Sequence, residues 1–455
     1  MASAYLSKTF GQAGNRKTWT WSAWVKLFKG DAQLLLFSEQ TNSYPSGGIY
    51  LQGNQELRLS FATASNNWQI AVDTDAKYRD VSGWYHYVVA VDTTQSTASD
   101  RVKIYVNGVL QTLLNGLASN GGGSSDPLYP SQNYDCLINR ANLTYIGGDN
   151  NYSSDCAMTH VHFTDGNAYP ASTFGESDSN GVWKPKTSPS VTYGTNGFFL
   201  KMDNSGNMGL DSSGNSNNWT TSGTITQAKD TPSNVFCTWN PFTNENASAT
   251  FSNGNNTVFF NNSNEKHILA TLGMNSGKFY WESKLVSHSA DSLAKVGIES
   301  SLHNNAGGYA VDSYGYRGEG GGSGDASSGR KVNNGTFTNW GSSYTAGDII
   351  GCAVDLDNNK IYFSKNGTWQ ESGDPTSGST GTGSAFNLIA PVSGFYHPSI
   401  GKEASATATW SMNFGNGYFG TTAVTSAGTN ASGIGIFEYD VPTGYTALST
   451  KGLNS

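Results

Sequence analysis

The stretch "GDIIGCAVDLDNNKIYFSKNG", Gly347 to Gly367, decides the fold. Its middle, Asp355-Leu356-Asp357-Asn358-Asn359, begins like a calcium loop, while its flanks alternate apolar and other residues. An EF-hand loop needs glycine at its sixth position for the sharp bend and glutamate at its twelfth for bidentate ligation. Counted from Asp355, those places hold Lys360 and Asn366, so an ion would lack both. As a hairpin the stretch is coherent. Ile350, Cys352 and Val354 share one face of a first strand, Asp357 to Asn359 make the turn, and Ile361 and Phe363 return.

The same period of two recurs along the chain. In "RVKIYVNGVLQ" Val102, Ile104 and Val106 alternate, and Asn107-Gly108 supplies the positive φ angles of a two-residue hairpin turn. "WYHYVVAVD" (Trp84 to Asp92), "FYWESKL" (Phe279 to Leu285) and "ATWSMNFG", with Trp410, Met412 and Phe414 on one face, follow suit. Helix signals are nearly absent. Charged residues make up only 13% of the 455 residues, while glycine (55) and aromatics (12%) are abundant. That is the profile of strands joined by many turns. The expected fold class is all-β, two β-sandwiches in tandem.

Domain limits follow from composition. A proline-rich run, "VWKPKTSPS" (Val182 to Ser190), precedes the apolar "GFFLKM" (Gly197 to Met202), read as a strand returning to the first sandwich. The polar stretch ending in "DTPSN" (Asp230 to Asn234) reads as the connection. We therefore expect a first domain over residues 1–230, a second over 237–447 and a tail over 448–455. "GEGGGSGDASSG" (Gly318 to Gly329) reads as a flexible loop.

The signature G-D-x-I-G-x-x-x-D-x-D followed by F-x-x-N-G resembles that of SPRY domains. "SGKFYWESKL" (Ser276 to Leu285), "KVGIES" (Lys295 to Ser300) and "NFGNGYFG" (Asn413 to Gly420) extend the resemblance in the right order. The first half resembles a laminin-G/concanavalin-like sandwich through "YLSKTFGQAGNRKTWTWSAWVKL" (Tyr5 to Leu27), "GWYHYVVAVDTT" with "RVKIYVNG", "YIGG" (Tyr145 to Gly148) and "VHFTDGNAYPASTFGE" (Val161 to Glu176). With "DSSGNSNNWT" (Asp211 to Thr220) and "DTPSNVFCTWNP" (Asp230 to Pro241), the combination looks like virion proteins of tailed bacteriophages. The resemblance implies loop-mediated binding and no chemistry of its own.

A net charge of -8 gives no field that would attract nucleic acid or an anionic membrane. No apolar run is long enough to span a bilayer, and the start "MASAYLSKTF" lacks the blocks of a signal peptide, so no membrane insertion is expected. Cys136, Cys156, Cys237 and Cys352 have no zinc-ligand spacing and read as buried thiols; Cys136 and Cys156 would pair only in an oxidising compartment. His160 and His162 share a strand face and read as ordinary strand histidines rather than metal ligands.

Glycosidases on such sandwiches need two carboxylates about 5–5.5 Å or about 6.5–9.5 Å apart. Asp73/Asp75 and Asp355/Asp357 are the nearest pairs, and Glu282 and Glu299 read as isolated acids on solvated faces. No catalytic residue and no metal ligand is expected. Asp203-Asn204-Ser205-Gly206-Asn207 and Asp211-Ser212-Ser213-Gly214-Asn215 read as Asx turns, with calcium the minor alternative, and no cofactor is expected. Lectin sites set an aromatic platform among Asn, Asp and Gly. Trp68, Tyr152 and Trp340 stand in such surroundings and are the candidate ligand-binding residues, while Tyr314 and Tyr316 read as core or sheet surface.

The reading is a non-enzymatic virion structural protein, a tail fibre, surface fibre or decoration. It would be assembled in the host cytoplasm and exposed on the extracellular particle surface. Expected partners are other virion proteins and a host-surface glycan or receptor, through a homo-oligomer. The alternatives are a purely architectural subunit and a capsule depolymerase.

Overall fold

The computed structural model describes residues 4–30, 33–39, 46–65, 67–117, 126–149, 154–243, 249–261, 266–289, 294–300, 310–318, 328–402 and 407–455. The chain forms two compact units, Met1–Gln227 and Ala228–Ser455. Among the described residues all regular structure is β-strand or short 3-10 turn.

The deciding stretch is a hairpin. Strand Ile349–Asp355 pairs antiparallel with Lys360–Lys365, setting Val354 opposite Ile361 and Cys352 opposite Phe363, and the turn closes with Asn359 at φ 56°. The acids staple the turn. Asp355 accepts hydrogen bonds from the Asn358 backbone N–H (3.0 Å) and side chain (2.8 Å) and pairs with Lys278 at 2.9 Å, while Asp357 accepts from the Gly277 N–H at 2.8 Å.

In the second unit this hairpin lies in a large, mostly antiparallel sheet beside Lys278–His288, which in turn pairs with Ala408–Asn413. A second sheet carries Lys266–Leu269, His397–Lys402, Lys295–Glu299, Ser313–Arg317, Ser328–Asn333 and Thr336–Ser342. The core between them includes Trp239, Trp281, Trp410, Met412, Phe414, Tyr314 and Tyr316. Residues 448–455 are part of this unit rather than a tail: Leu448 is fully buried and its carbonyl accepts from Cys237 N–H, and Thr450 N–H donates to Val235.

Among its described residues the first unit also has two large sheets, besides the two-stranded pair Gly175–Ser177 with Trp183–Pro185. One runs Leu113–Asn115, Asn67–Thr74, Leu57–Ala64, Ser46–Leu51, Leu34–Glu39, Leu143–Ile146, Tyr5–Thr9, Thr220–Ser222; the other runs Phe198–Leu200, Cys156–Asp165, Thr18–Leu27, Trp84–Asp92, Val102–Val106, Val109–Leu110. Asn107 (φ 48°) and Gly108 (φ 84°) form the turn that joins the last two. The polar stretch after Met202 is more than a connection. Thr220–Ser222 adds an edge strand, and Trp219 is buried against Phe10, Phe37 and Phe198.

Strand Thr18–Leu27 is buried on both faces. Trp19, Trp21, Ala23 and Val25 join the core, whereas Ser22 and Trp24 lie under a strap formed by residues 166–193. The strap lays Ala171 and Phe174 on Val88, with Tyr169, Trp183 and Val191 around them. Opposite ends of strand Thr18–Leu27 hold the two candidate disulfide partners. Cys156 lies opposite Leu27 and Cys136 N–H donates to Arg16, so an extended strand separates them by about 30 Å. Their thiols are free, and no disulfide spans that distance.

Candidate functional site

Of the three candidate ligand residues, the structure brings none together. Trp340 is a core residue, 8% exposed, packed edge-on against Tyr316 at 5.3 Å and Phe363 at 6.1 Å. Its ring is spent on the sandwich interior and is no platform. Trp68 is half-buried beside a bulge opposite Ala62, and Tyr152 lies outside the described residues, as does most of the Gly318–Gly329 segment.

The acids read as solvated are buried instead. Glu282 is inaccessible to solvent and accepts hydrogen bonds from Tyr439 N–H (2.8 Å), Glu438 N–H (2.9 Å), Tyr280 OH (3.1 Å) and the Asn413 amide (3.1 Å). Glu299 is 1% exposed and meets His267 at 2.8 Å. Both are structural clamps. Asp211 accepts from Phe199 N–H, Ser213 N–H, Ser213 OH and Asn217 N–H, all at 2.8 Å, which is Asx-turn geometry. Among the described residues, no group of three or more His, Cys, Asp and Glu side chains is arranged to hold a metal ion.

The His160/His162 pair is split by a bulge. The register of strand Cys156–Asp165 shifts between Thr159 and His162, and His160 takes φ 48°. The two rings bond different partners, His160 with Thr159 and His162 with Tyr193, and both pack on Phe199.

A cleft of about 390 Å³ opens instead on the outer face of the first unit. Tyr105 and Lys103 from Val102–Val106, Ala90 and Asp92 from Trp84–Asp92, Gln95 and Asp100 from the loop between, and Tyr169 with Pro170 from the strap line it. Its loop is clipped in place. The Arg101 guanidinium donates to the carbonyls of Gln95 (2.8 Å), Ser96 (2.7 Å) and Pro130 (2.8 Å). The strap wall is bolted by Thr20, whose hydroxyl donates to Asn167 O at 2.8 Å and accepts from Tyr169 N–H at 2.8 Å. Tyr169 OH in turn accepts from Thr192 N–H at 3.1 Å.

Both carboxylates of the cleft have close partners. Partial burial pushes the Asp92 carboxyl up, but hydrogen bonds from Thr94, Gln95 and Thr18 outweigh it and hold the group below its ordinary value. Asp100 pairs with Lys103 at 3.3 Å. An acid held ionised makes a poor proton donor to a leaving group.

The first unit thus presents a cleft lined by tyrosines and by polar and charged side chains on a layered β body. The comparisons agree at the level of the domains. Residues 3–136 match the family model described as the concanavalin A-like lectin/glucanases superfamily, and residues 278–392 match the SPRY domain. The chain therefore carries a laminin-G-type concanavalin-like domain followed by a SPRY domain. It is similar to the ATP-dependent RNA helicase DDX1 of Xenopus laevis, 36% identical over 101 residues, 22% of this chain and 12% of that protein. It is also similar to Ran-binding protein 9 of Homo sapiens, 37% identical over 93 residues, 20% of this chain and 12% of that protein. The matches thus span a small part of either relative. The solved SPRY domain of human HERC1 aligns at 20% identity and TM-score 0.30, covering 38% of this chain and 96% of that one.

No sequence signal marked the cleft. Its walls come from residues 90–105 and 168–170, which only the fold makes neighbours. No helix among the described residues is long and apolar enough to cross a membrane.

Proposed function

We propose that this chain is a non-catalytic virion structural protein of a tailed phage that adheres to host-surface glycan through the cleft of its first unit. The observation that carries the reading is the cleft itself. Tyr105 and Tyr169 line it with rings of the kind that pack on the apolar C–H side of a sugar, and Gln95, Asp100 and Lys103 line it with groups that can meet hydroxyls. With Asp92 and Asp100 in the walls and a net charge of -8, a neutral saccharide is favoured over a polyanionic one. The resemblance to phage virion chains supplies the setting: assembly in the host cytoplasm, exposure on the particle, and a homo-oligomer that multiplies weak contacts.

The second unit serves protein partners in this reading, other virion subunits among them. Similarity to a protein named for binding Ran supports a protein rather than a glycan partner for it. So does the loop bearing Ile389, Val392 and Phe395, whose Val392 is 74% exposed. Depolymerase activity has less support. Glu282 and Asp355 are fully buried in structural bonds.

Glycan-array and host-cell adsorption measurements on the full chain test the proposal. Tyr105 is half-buried at the cleft, so Tyr105→Ala should leave the fold intact and weaken adsorption about tenfold, equivalent to about 1.4 kcal/mol. Absence of binding by the folded chain would leave the architectural role in its place.

A further inference from the structure

The strap that walls the cleft is held by neutral imidazoles. Trp183 Nε1–H donates to His86 Nδ1 at 3.0 Å, which places the ring's own proton on Nε2, facing the Ser22 hydroxyl at 2.9 Å. The His86 ring is stacked on Trp24 at 4.8 Å and faces Trp183 at 6.0 Å. Further along, His162 Nδ1 meets Tyr193 OH at 3.0 Å, and its ring packs on Phe199 at 4.0 Å and Phe174 at 5.0 Å. His162 Nε2 is buried with no protein partner. Strap residues Trp183, Phe174 and Tyr193 thus grip two histidines whose solvent access they block.

Resting on the proposed role of the cleft, we propose that the strap from Ala171 to Tyr193 is an acid-released latch whose opening unpins Tyr169 and so regulates that site. A proton added at His86 Nδ1 would point N–H at the Trp183 N–H, turning a hydrogen bond into a donor–donor clash. Among the described residues no carboxylate hydrogen-bonds either ring. His86 faces His160, His162 faces both His160 and His86, and His160 is flanked by Lys201 and Asp203. Lys26 lies two positions from Trp24 on its strand, and Lys184 follows Trp183 opposite Glu176 in the strap hairpin. Three carboxylates stand near: Asp203 acts on the outermost histidine, Glu176 lies opposite Lys184, and Asp211 acts on Tyr193, but none of them hydrogen-bonds the His86 or His162 ring.

The sign follows from burial. Burial, then repulsion from His160, pushes His86 down from 6.5 to about 3, and burial pushes His162 down as well. For groups with depressed values, stability is complete above 6.5 and is lost as pH falls below it. Release of Trp183 and Tyr193 removes the neighbour of Tyr193, Thr192, whose N–H steadies the Tyr169 hydroxyl.

Hydrogen exchange of the full chain, corrected for intrinsic rates, tests the latch without any ligand. Between about pH 7.5 and about pH 5, protection over residues 171–193 should fall at least about tenfold while strands Thr18–Leu27 and Trp84–Asp92 keep theirs. His86→Gln retains an acceptor for Trp183 and a donor for Ser22 but cannot titrate; it should shift the loss to lower pH. Trp183→Phe, which removes the opposing donor, should open the strap at neutral pH. Unchanged strap protection at acid pH, simultaneous loss in strap and strands, or an unshifted profile in His86→Gln would overturn the latch. A failed adsorption assay would overturn only the role of the cleft.

Discussion

Glu282→Ala should destabilise the second unit by about 3 kcal/mol at neutral pH, because the backbone N–H groups of Glu438 and Tyr439 lose their acceptor inside the fold. Tyr280 OH loses its partner too. Opposing this, burial already penalises the charged carboxylate and pushes it up to about 7, against the pull of those three donors and the Asn413 amide. The alanine chain is relieved of that cost, which is why the loss stays moderate. The pH dependence follows. A carboxyl raised from 4.5 to about 7 contributes stability that is full below 4.5 and lost as pH rises through 7. Urea denaturation followed by probes in the second unit checks both points. Wild type minus Glu282→Gln should decline across that window, opposite in sign to the histidines of the first unit. A flat difference would contradict the assignment.

Arg58→Ala should cost the first unit about 3–5 kcal/mol, since it strands a carboxylate in the sheet. Arg58 donates to both oxygens of Asp73, at 2.7 and 2.6 Å, and to the carbonyl of Gly116, and Asp73 is 2% exposed. Removing both charges should be far milder. The double variant Arg58→Met/Asp73→Leu places apolar groups of similar bulk on facing strand positions, and it should recover most of the loss. Equal losses in the single and double variants would mean the pair matters through packing rather than through charge.

What was legible in the sequence was local. Asn107-Gly108 and Asp357 to Asn359 announce their turns through backbone preference, and the alternation of Trp410, Met412 and Phe414 names a core face that is fully buried. What was illegible was decided by distant partners. Glu282 looks like a solvated acid until Glu438 and Tyr439 arrive, 156 and 157 positions away. Trp340 sits among Thr and Asn like a loop aromatic, yet Tyr316 and Phe363 enclose it. One clue to the covered face was present. "WYHYVVAVD" is apolar or aromatic at nearly every position, more than a strand with one wet face requires, and the strap supplies the second cover.

The most direct test of the account is a footprint of the full chain with a bound saccharide selected from the array, read by hydrogen exchange or by nuclear magnetic resonance shifts. The account predicts changes confined to the cleft, in residues 90–105 and 168–170, with no reducing ends released during incubation. Changes centred on Trp68 or on the second unit, or the appearance of reducing ends, would contradict it.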